Sequence, residues 1–301
     1  MTTPEVSGFK YNLIRRIVQV ISLVLFAGVL FGLGPLPVVL PVMFTLGLPQ
    51  VALGDAFALM QVMLSNGVFP WIPLASFLLV TLFLGRATCG WVCPFGFVQD
   101  IVTMVYRKPR DVSLRTHNWM LQIKNVVLLL VLIISISVAA MVASGSGEAY
   151  KAALGVFASG TMNVLGPADT LFALIPTGIS LLISDTSAFV ASAFAVLPLL
   201  WTRLVILGIV LVLAALIPRS WCKYFCPHGA IMAFLNRFSF LGLQRDPLKC
   251  TKGGCNECVT ACPMHVPILE LPWDKFTHPE CIYCLKCSDA CPTKAIKPKM
   301  P

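Results

Sequence analysis

Apolar residues along this chain come in long blocks, and the polar residues collect in the gaps between them. A helix that crosses a bilayer needs about 20 mostly apolar residues. Four blocks read as spans on that pattern: Ile17–Leu33, Trp71–Gly85, Asn125–Ala143 and Leu199–Pro218. The first follows Lys10, Arg15 and Arg16 as a signal peptide would. It closes on "GLGPLPVVLP" with no small-residue cleavage site, so it reads as an uncleaved span. The stretch 144–198 is apolar but broken by Gly, Pro, Ser and Asp, and its segment "LFALIPTGISLLIS" (171–184) is too short for an ordinary span. Interfacial or re-entrant helices are expected there and in 38–64, covered by protein, because lipid does not tolerate bare non-helical backbone. Counted as crossings, they would raise the total to six.

Charge orients these blocks. Of the 22 Lys and Arg residues, three lie in 1–16, six in 86–124 and eleven in 219–301, and only Lys151 and Arg203 fall elsewhere. Residues 34–70 contain none. That clustering is the positive-inside pattern and places both termini on the cytoplasmic side. The net charge of +9 therefore speaks for a lipid surface and not for nucleic acid. Composition agrees: 57% of residues are hydrophobic and 12% charged, against about 25% charged in a soluble domain. The expected organisation is a cytoplasmic N-terminus (1–16), a membrane domain (17–220), a connector (221–244) and a small cytoplasmic domain (245–301). The last is too small for a thick core, and metal clusters can supply the missing cross-links.

The chain has 12 cysteines at tight, regular spacing, which suggests metal ligation over disulfides. "CTKGGCNECVTACP" carries Cys250, Cys255, Cys258 and Cys262, and "CIYCLKCSDACP" carries Cys281, Cys284, Cys287 and Cys291. The second is the bacterial ferredoxin run C-x2-C-x2-C-x3-C-P, and the first has a two-residue expansion after its first cysteine. In such runs three thiolates wrap one cube and the fourth reaches the neighbouring cube. Cys250, Cys255, Cys258 and Cys291 are thus expected to hold one [4Fe–4S] cluster, and Cys281, Cys284, Cys287 and Cys262 a second. Zinc, which favours four ligands in two pairs, fits two consecutive runs of this kind poorly.

The other four cysteines lie in a repeated segment. "RATCGWVCPFG" (86–96) aligns without a gap with "RSWCKYFCPHG" (219–229), matching Arg86 to Arg219, Cys89 to Cys222, Cys93 to Cys226, Pro94 to Pro227 and Gly96 to Gly229. Each copy follows a span, as in membrane proteins built from paired halves. Two halves packed about a pseudo-two-fold axis would bring Cys89, Cys93, Cys222 and Cys226 together. The prolines disfavour helix at the cysteines before them, so each pair is expected at a helix end or turn. Three readings stand: a shared metal or third cluster, redox-active thiols, or small residues at a crowded junction. Spare thiols near the cytosol would invite oxidation, which counts against the third.

These motifs resemble the NapH/MauN group and the membrane core of NosR: apolar spans, two C-x3-C-P motifs at the cytoplasmic face and a C-terminal two-cluster ferredoxin segment. The resemblance implies an α-helical integral membrane protein of the inner membrane, acting as the membrane subunit of a quinol dehydrogenase. Electrons from quinol would pass through iron–sulfur centres toward other subunits of a respiratory redox complex. No flavin-bearing domain precedes the first span and no C-x-x-C-H haem motif is present, so a full NosR-like role is not expected. A second function class is a metal-reducing or cofactor-assembly factor for an oxidase or dehydrogenase, although no Met- or His-rich tract favours it.

A quinone site needs an apolar slot with a few proton-exchanging groups. The candidates are Gln19, Gln50, Asp55, Gln61, Asp100, Asp169 and Asp185, several of which are expected in loops where they are merely solvated. His228 follows Cys226-Pro227 and could be a ligand or proton relay, against the commoner reading of a satisfied histidine. His117, His265 and His278 carry less. Arg203, beside Trp201, fits interfacial snorkelling. The basic stretch 107–124 suits anionic headgroups better than a docking partner.

Overall fold

The computed structural model describes residues 9–26, 38–43, 53–106, 113–155, 157–158, 160, 166–176, 178–179, 186–250 and 254–300. Helix α1 (Phe9–Phe26) starts well before the expected span, so Arg15 and Arg16 lie within it. Where helices were expected in 38–64, two short parallel strands, β1 (Val38–Leu40) and β2 (Leu53–Asp55), pair Val38 with Leu53 and Leu40 with Asp55. Asp55 then caps α2 (Ala56–Ser65), its carboxylate accepting from the N–H groups of Phe57 (3.0 Å) and Ala58 (3.1 Å). Helix α3 (Trp71–Leu84) stops at Gly85, whose φ of +57° and a Cβ that would stand 2.0 Å from Asn236 Oδ1 both demand glycine.

Two short helices follow, α4 (Ala87–Trp91) and α5 (Pro94–Tyr106), and then α6 (Leu114–Ala143), capped by Ser113. The basic stretch 107–124 is therefore helical from Leu114 onward, and 107–112 lie outside the described residues. Proline at the first helical position starts α5, and α6 carries its basic first turns beyond its apolar stretch. The chain continues through Gly147–Leu154, a turn at Pro167–Asp169 that runs into a π-helical turn at Thr170–Leu174, and a long helix Thr186–Leu216 packed on α5. Helices Ser220–Tyr224 and Pro227–Leu235 repeat the α4–α5 pattern.

Four full-length spans are not what the described residues show. One helix, Arg115–Ala143 (29 residues), is long and apolar enough to cross a membrane, while Trp71–Leu84 and Leu200–Leu216 are apolar but shorter. The 14 residues of α3 rise about 21 Å, short of a hydrocarbon core of about 30 Å.

The C-terminal region is built on a three-stranded antiparallel sheet in the order β4–β3–β5, with β3 Gly242–Arg245, β4 Lys275–Phe276 and β5 Ile296–Lys299. Leu243, Val266, Phe276, Ile282 and Ile296 form its core, and Ala87, Cys89 and Trp91 of α4 pack against the same cluster. Helical and ferredoxin-like parts are thus joined by shared apolar burial as well as by the chain.

Candidate functional site

Cys89 sits inside α4 and Cys93 in the break before Pro94; Cys222 and Cys226 occupy the same places in the second copy. Cys226 has φ −74° and ψ 115°, the extended conformation that a following proline imposes. The two copies then reach across each other. Arg219 Nη1 donates to the Cys89 carbonyl (2.8 Å), and Arg86 Nη2 donates to the Cys222 carbonyl (3.3 Å). Gln99 Nε2 donates to Cys222 Sγ (3.1 Å), and Met232, at the position equivalent to Gln99, brings its sulfur to 3.6 Å from Cys89 Sγ. Gly96 and Gly229 let the helices pass this closely: a Cβ would lie 3.1 Å from the Cys89 carbonyl oxygen and 3.0 Å from that of Cys222. Met43 adds a second thioether, 4.0 Å from Cys226 Sγ and 3.1 Å from Trp221 Nε1. Cys226 lies within electrostatic reach of Cys222, Cys89 and Cys93.

The eight remaining cysteines line two separate cavities. Cys262, Cys281, Cys284 and Cys287 line one, and Cys250, Cys255, Cys258 and Cys291 the other. The fourth cysteine of each run lines the cavity of the other run's first three. The loop between Cys281 and Cys287 winds through two left-handed residues, Tyr283 (φ +46°) and Leu285 (φ +57°). His265 and Lys294, each three residues beyond a Cys-Pro cysteine, are left-handed as well (φ +55° and +51°). Such conformations cost about 1–3 kcal/mol each and persist only where the surroundings impose them. Among the described residues, no three His, Cys, Asp or Glu converge closely enough for a single ion. A cube gives each thiolate its own iron and so holds the sulfurs apart; the arrangement fits a cluster better than zinc. Burial pushes the Cys262, Cys281 and Cys287 thiols up, so a metal is needed to hold them as thiolates. Cys291 is drawn down against its burial by hydrogen bonds, including the Ala295 N–H at 3.3 Å.

The cavity with Cys281 is proximal to the duplicated segments. Trp91 Nε1 donates to the Tyr283 carbonyl (2.8 Å), and a Cβ on Gly90 would lie 2.3 Å from the Ile282 carbonyl oxygen. Asn236 joins both parts, accepting from the Arg86 N–H (3.1 Å) and donating to the carbonyls of His278 (2.6 Å) and Cys281 (3.1 Å). Glu280 pairs with Arg86 at 2.8 Å and with Lys124. Burial works to raise the Glu280 carboxyl, but the two cations overcome it and hold it at about 2. On the other side, Asp100 takes a two-pronged contact from Arg219 (2.9 and 2.7 Å) and lies 3.6 Å from Arg15. Burial would raise Asp100 too, and Arg219 holds it well below the usual range.

The quinone candidates meet varied fates. Gln50 and Asp185 lie outside the described residues. The other five are buried, not solvated as expected for several of them. Gln19 Nε2 donates to the Gly90 carbonyl (3.0 Å), Asp169 pairs with Arg203 at 2.9 Å, and Asp55 contacts His228 Nε2 at 2.8 Å. Arg203 is therefore an ion-pair partner and not simply a snorkelling side chain. His228 is 2% exposed, and its Nδ1 has no partner among the described residues. His117 Nδ1 meets the Tyr224 hydroxyl (2.8 Å), and the His265 ring lies tilted beside that of His117, 5.4 Å between centroids. His278 Nδ1 accepts from the Glu280 N–H (3.1 Å). Met43, Met232, Gln99, Lys124, Asn236 and Glu280 escaped the sequence reading. Extending the repeat alignment past Gly96 would have reached Gln99 and Met232.

A family model described as a 4Fe-4S binding domain matches residues 67–113 and 189–242, the two duplicated segments, and a second of the same description matches 278–297. MauN of Methylobacillus flagellatus, a ferredoxin-type protein of methylamine utilization, is 26% identical over 85% of this chain and 78% of its own. The chain is thus similar to proteins of the NapH/MauN/NosR group. YccM of Escherichia coli, named as a putative electron transport protein, is 24% identical over 73% of this chain, and the match spans about half (52%) of YccM. A ferredoxin of Methanothermococcus thermolithotrophicus is 44% identical over 54 residues, 17% of this chain and 87% of its own. No solved structure matches. The matched segments are thus similar to 4Fe-4S binding domains and to ferredoxin-type proteins.

Proposed function

We propose that this protein is a membrane-bound electron-transfer subunit that links the quinone pool to a redox partner. Two [4Fe–4S] clusters would be held by Cys250, Cys255, Cys258 and Cys291 (distal) and by Cys281, Cys284, Cys287 and Cys262 (proximal). A third centre would be held by Cys89, Cys93, Cys222 and Cys226. The clusters supply one-electron chemistry; the chain positions them, dries them and balances their charge. The observation that carries the reading is the seat of the proximal cavity on α4, through Trp91, Gly90 and Asn236, which sets one predicted cluster beside the crossed thiols. Outward-facing Leu78 and Leu79 on α3, Leu129 and Ile133 on α6, and Val205 and Ile209 on the long helix support lipid as the solvent of these helices. The charge pattern supports cytoplasmic termini and a cytoplasmic ferredoxin domain, and the resemblance supports the inner membrane. Protein in lipid nanodiscs given a quinol should show reduced clusters by paramagnetic resonance. Intact clusters that quinol leaves oxidised at every quinone type tried would refute the quinone link.

One observation favours a second reading, a metal-reducing or cofactor-assembly factor. Met43 and Met232 add thioethers to the crossed thiols, and soft sulfur ligands select cuprous copper. Reduction of added cupric ion without quinone, lost on Met43→Leu, would favour that reading over the first.

A further inference from the structure

Buried charge at the junction does not balance. Among the described residues, Arg15, Arg86, Arg219 and Lys223 are 0% exposed and Lys124 is 2% exposed, while the buried acids facing them are Asp100 and Glu280. Five cations thus meet two anions in a region shielded from water. Several of their donors also lack acceptors: Arg15 Nε and Nη1, Arg86 Nε and Lys223 Nζ. Arg15 Nη2 reaches Asn12 Oδ1 at 3.2 Å, so only one edge of that guanidinium is used. Burying an unpaired cation is costly, and a fold retains one where a negative group stands beside it. The cysteines within electrostatic reach belong both to the proximal set (Cys284 for Arg15 and Arg219, Cys281 for Arg86, Cys262 for Lys223) and to the duplicated segments (Cys222 for Arg219, Cys89 and Cys226 for Arg86).

The proximal lining itself carries no charged side chain, so the surplus lies behind it. The distal cavity differs. Its lining holds one buried cation, Arg245, which lies over the Trp273 ring at 3.7 Å and donates to the carbonyls of Leu269 and Leu271, both at 3.2 Å. Glu257, also in that lining, is exposed and carries the opposite charge.

We infer that Arg15, together with Arg86, Arg219 and Lys223, holds the proximal cluster at a higher reduction potential than the distal one, so that an electron shared between them rests beside the duplicated cysteines. The inference rests on the proposed ligand sets. Reducing a cube from [4Fe–4S]2+ to [4Fe–4S]+ adds one negative charge, and surplus cations nearby favour that form. As the distal cube gives up one electron the proximal cube takes one, and no proton or further reagent enters. Burial alone would act in the opposite sense by disfavouring added charge. Yet the same burial removes the water that would screen the cations, so each acts at low effective dielectric, and their surplus wins.

The test is a redox titration of the full chain in nanodiscs, read by paramagnetic resonance, with iron and sulfide measured on the same samples. Two cubes should titrate apart. Arg15→Gln should lower the potential of the higher one only, and Arg15→Lys should restore it. Arg245→Gln should move the lower one. If Arg15→Gln does not fold, Lys286→Gln, at the rim of the cavity shared by Arg16, Asp100 and Cys262, serves instead and shifts the same cube. Unchanged potentials with full iron content in the charge-removing variant, or a shift confined to the lower-potential cube, would overturn the inference. Native protein lacking eight iron atoms would instead sink the ligand assignment on which it stands.

Discussion

Glu280 is the test of how the ferredoxin region is held to the helical part. Its carboxylate lies between Arg86 (2.8 Å) and Lys124, and all three side chains are at least nine-tenths buried. Glu280→Gln keeps the volume and removes the charge, leaving two buried cations without their acid. Breaking a buried pair by removing one partner costs about 3–5 kcal/mol. The proximal thiolates partly replace the lost charge, so the lower end, about 3 kcal/mol, is expected, or roughly a hundredfold in the docking equilibrium at 1.4 kcal/mol per tenfold. The pH dependence has a definite sign. Glu280 is held at about 2, below the ordinary value of 4.5, so its contribution is present above about pH 4.5 and disappears as pH falls toward 2. Protease access to the connector near Asn236, followed against pH in wild type and variant, measures this. Wild type should open steeply below pH 4.5, and Glu280→Gln should be more open at neutral pH with a flatter acid limb. Equal protection of the two proteins at pH 7 would refute the argument.

Gly90→Ala places a Cβ 2.3 Å from the Ile282 carbonyl oxygen, so the proximal loop must lift from α4; quinol reduction of the clusters should fall at least tenfold with iron content unchanged. Cys89→Ser should leave the iron of the ferredoxin region intact while stopping electron transfer, and unchanged turnover would remove the crossed thiols from the path. Asn236→Ala strands the Arg86 N–H and the His278 and Cys281 carbonyls, at about 1–3 kcal/mol, and should lower the thermal unfolding midpoint of the full chain.

Motif spacing made the cysteines legible. Short C-x2-C turns and a terminal Cys-Pro restrict which sulfurs can share a cavity, and the eight sulfurs line two cavities. The helix ends at Cys93 and Cys226 were readable for the same local reason, the proline that follows each. Side chains supplied by distant segments were not readable. Glu280 lies 194 residues from Arg86, and nothing in its neighbourhood marks it as a partner. Hydropathy set the apolar blocks but not their lengths. Helix α6 begins at Leu114 because Ser113 caps it, whereas the apolar pattern starts only near Asn125. The strands β1 and β2, three residues each, fall below what periodicity can detect.

The duplication explains why the ferredoxin region docks where it does. Each repeat arginine reaches the cysteine carbonyl of the other copy, and each is buried and needs an acid. Arg219 finds Asp100, on α5 of the first copy. The position equivalent to Asp100 in the second copy is Ala233, so Arg86 has no matching acid there. Glu280 of the C-terminal region fills that role. The departure from two-fold symmetry is therefore also the attachment point, and it lies one residue before Cys281 of the proximal set. An acid restored at the symmetric position should compete for Arg86. Ala233→Asp is expected to loosen the docking much as Glu280→Gln does, and combining the two should recover part of the protection that Glu280→Gln loses. Additive loss in the double variant would show that Arg86 cannot exchange one acid for the other.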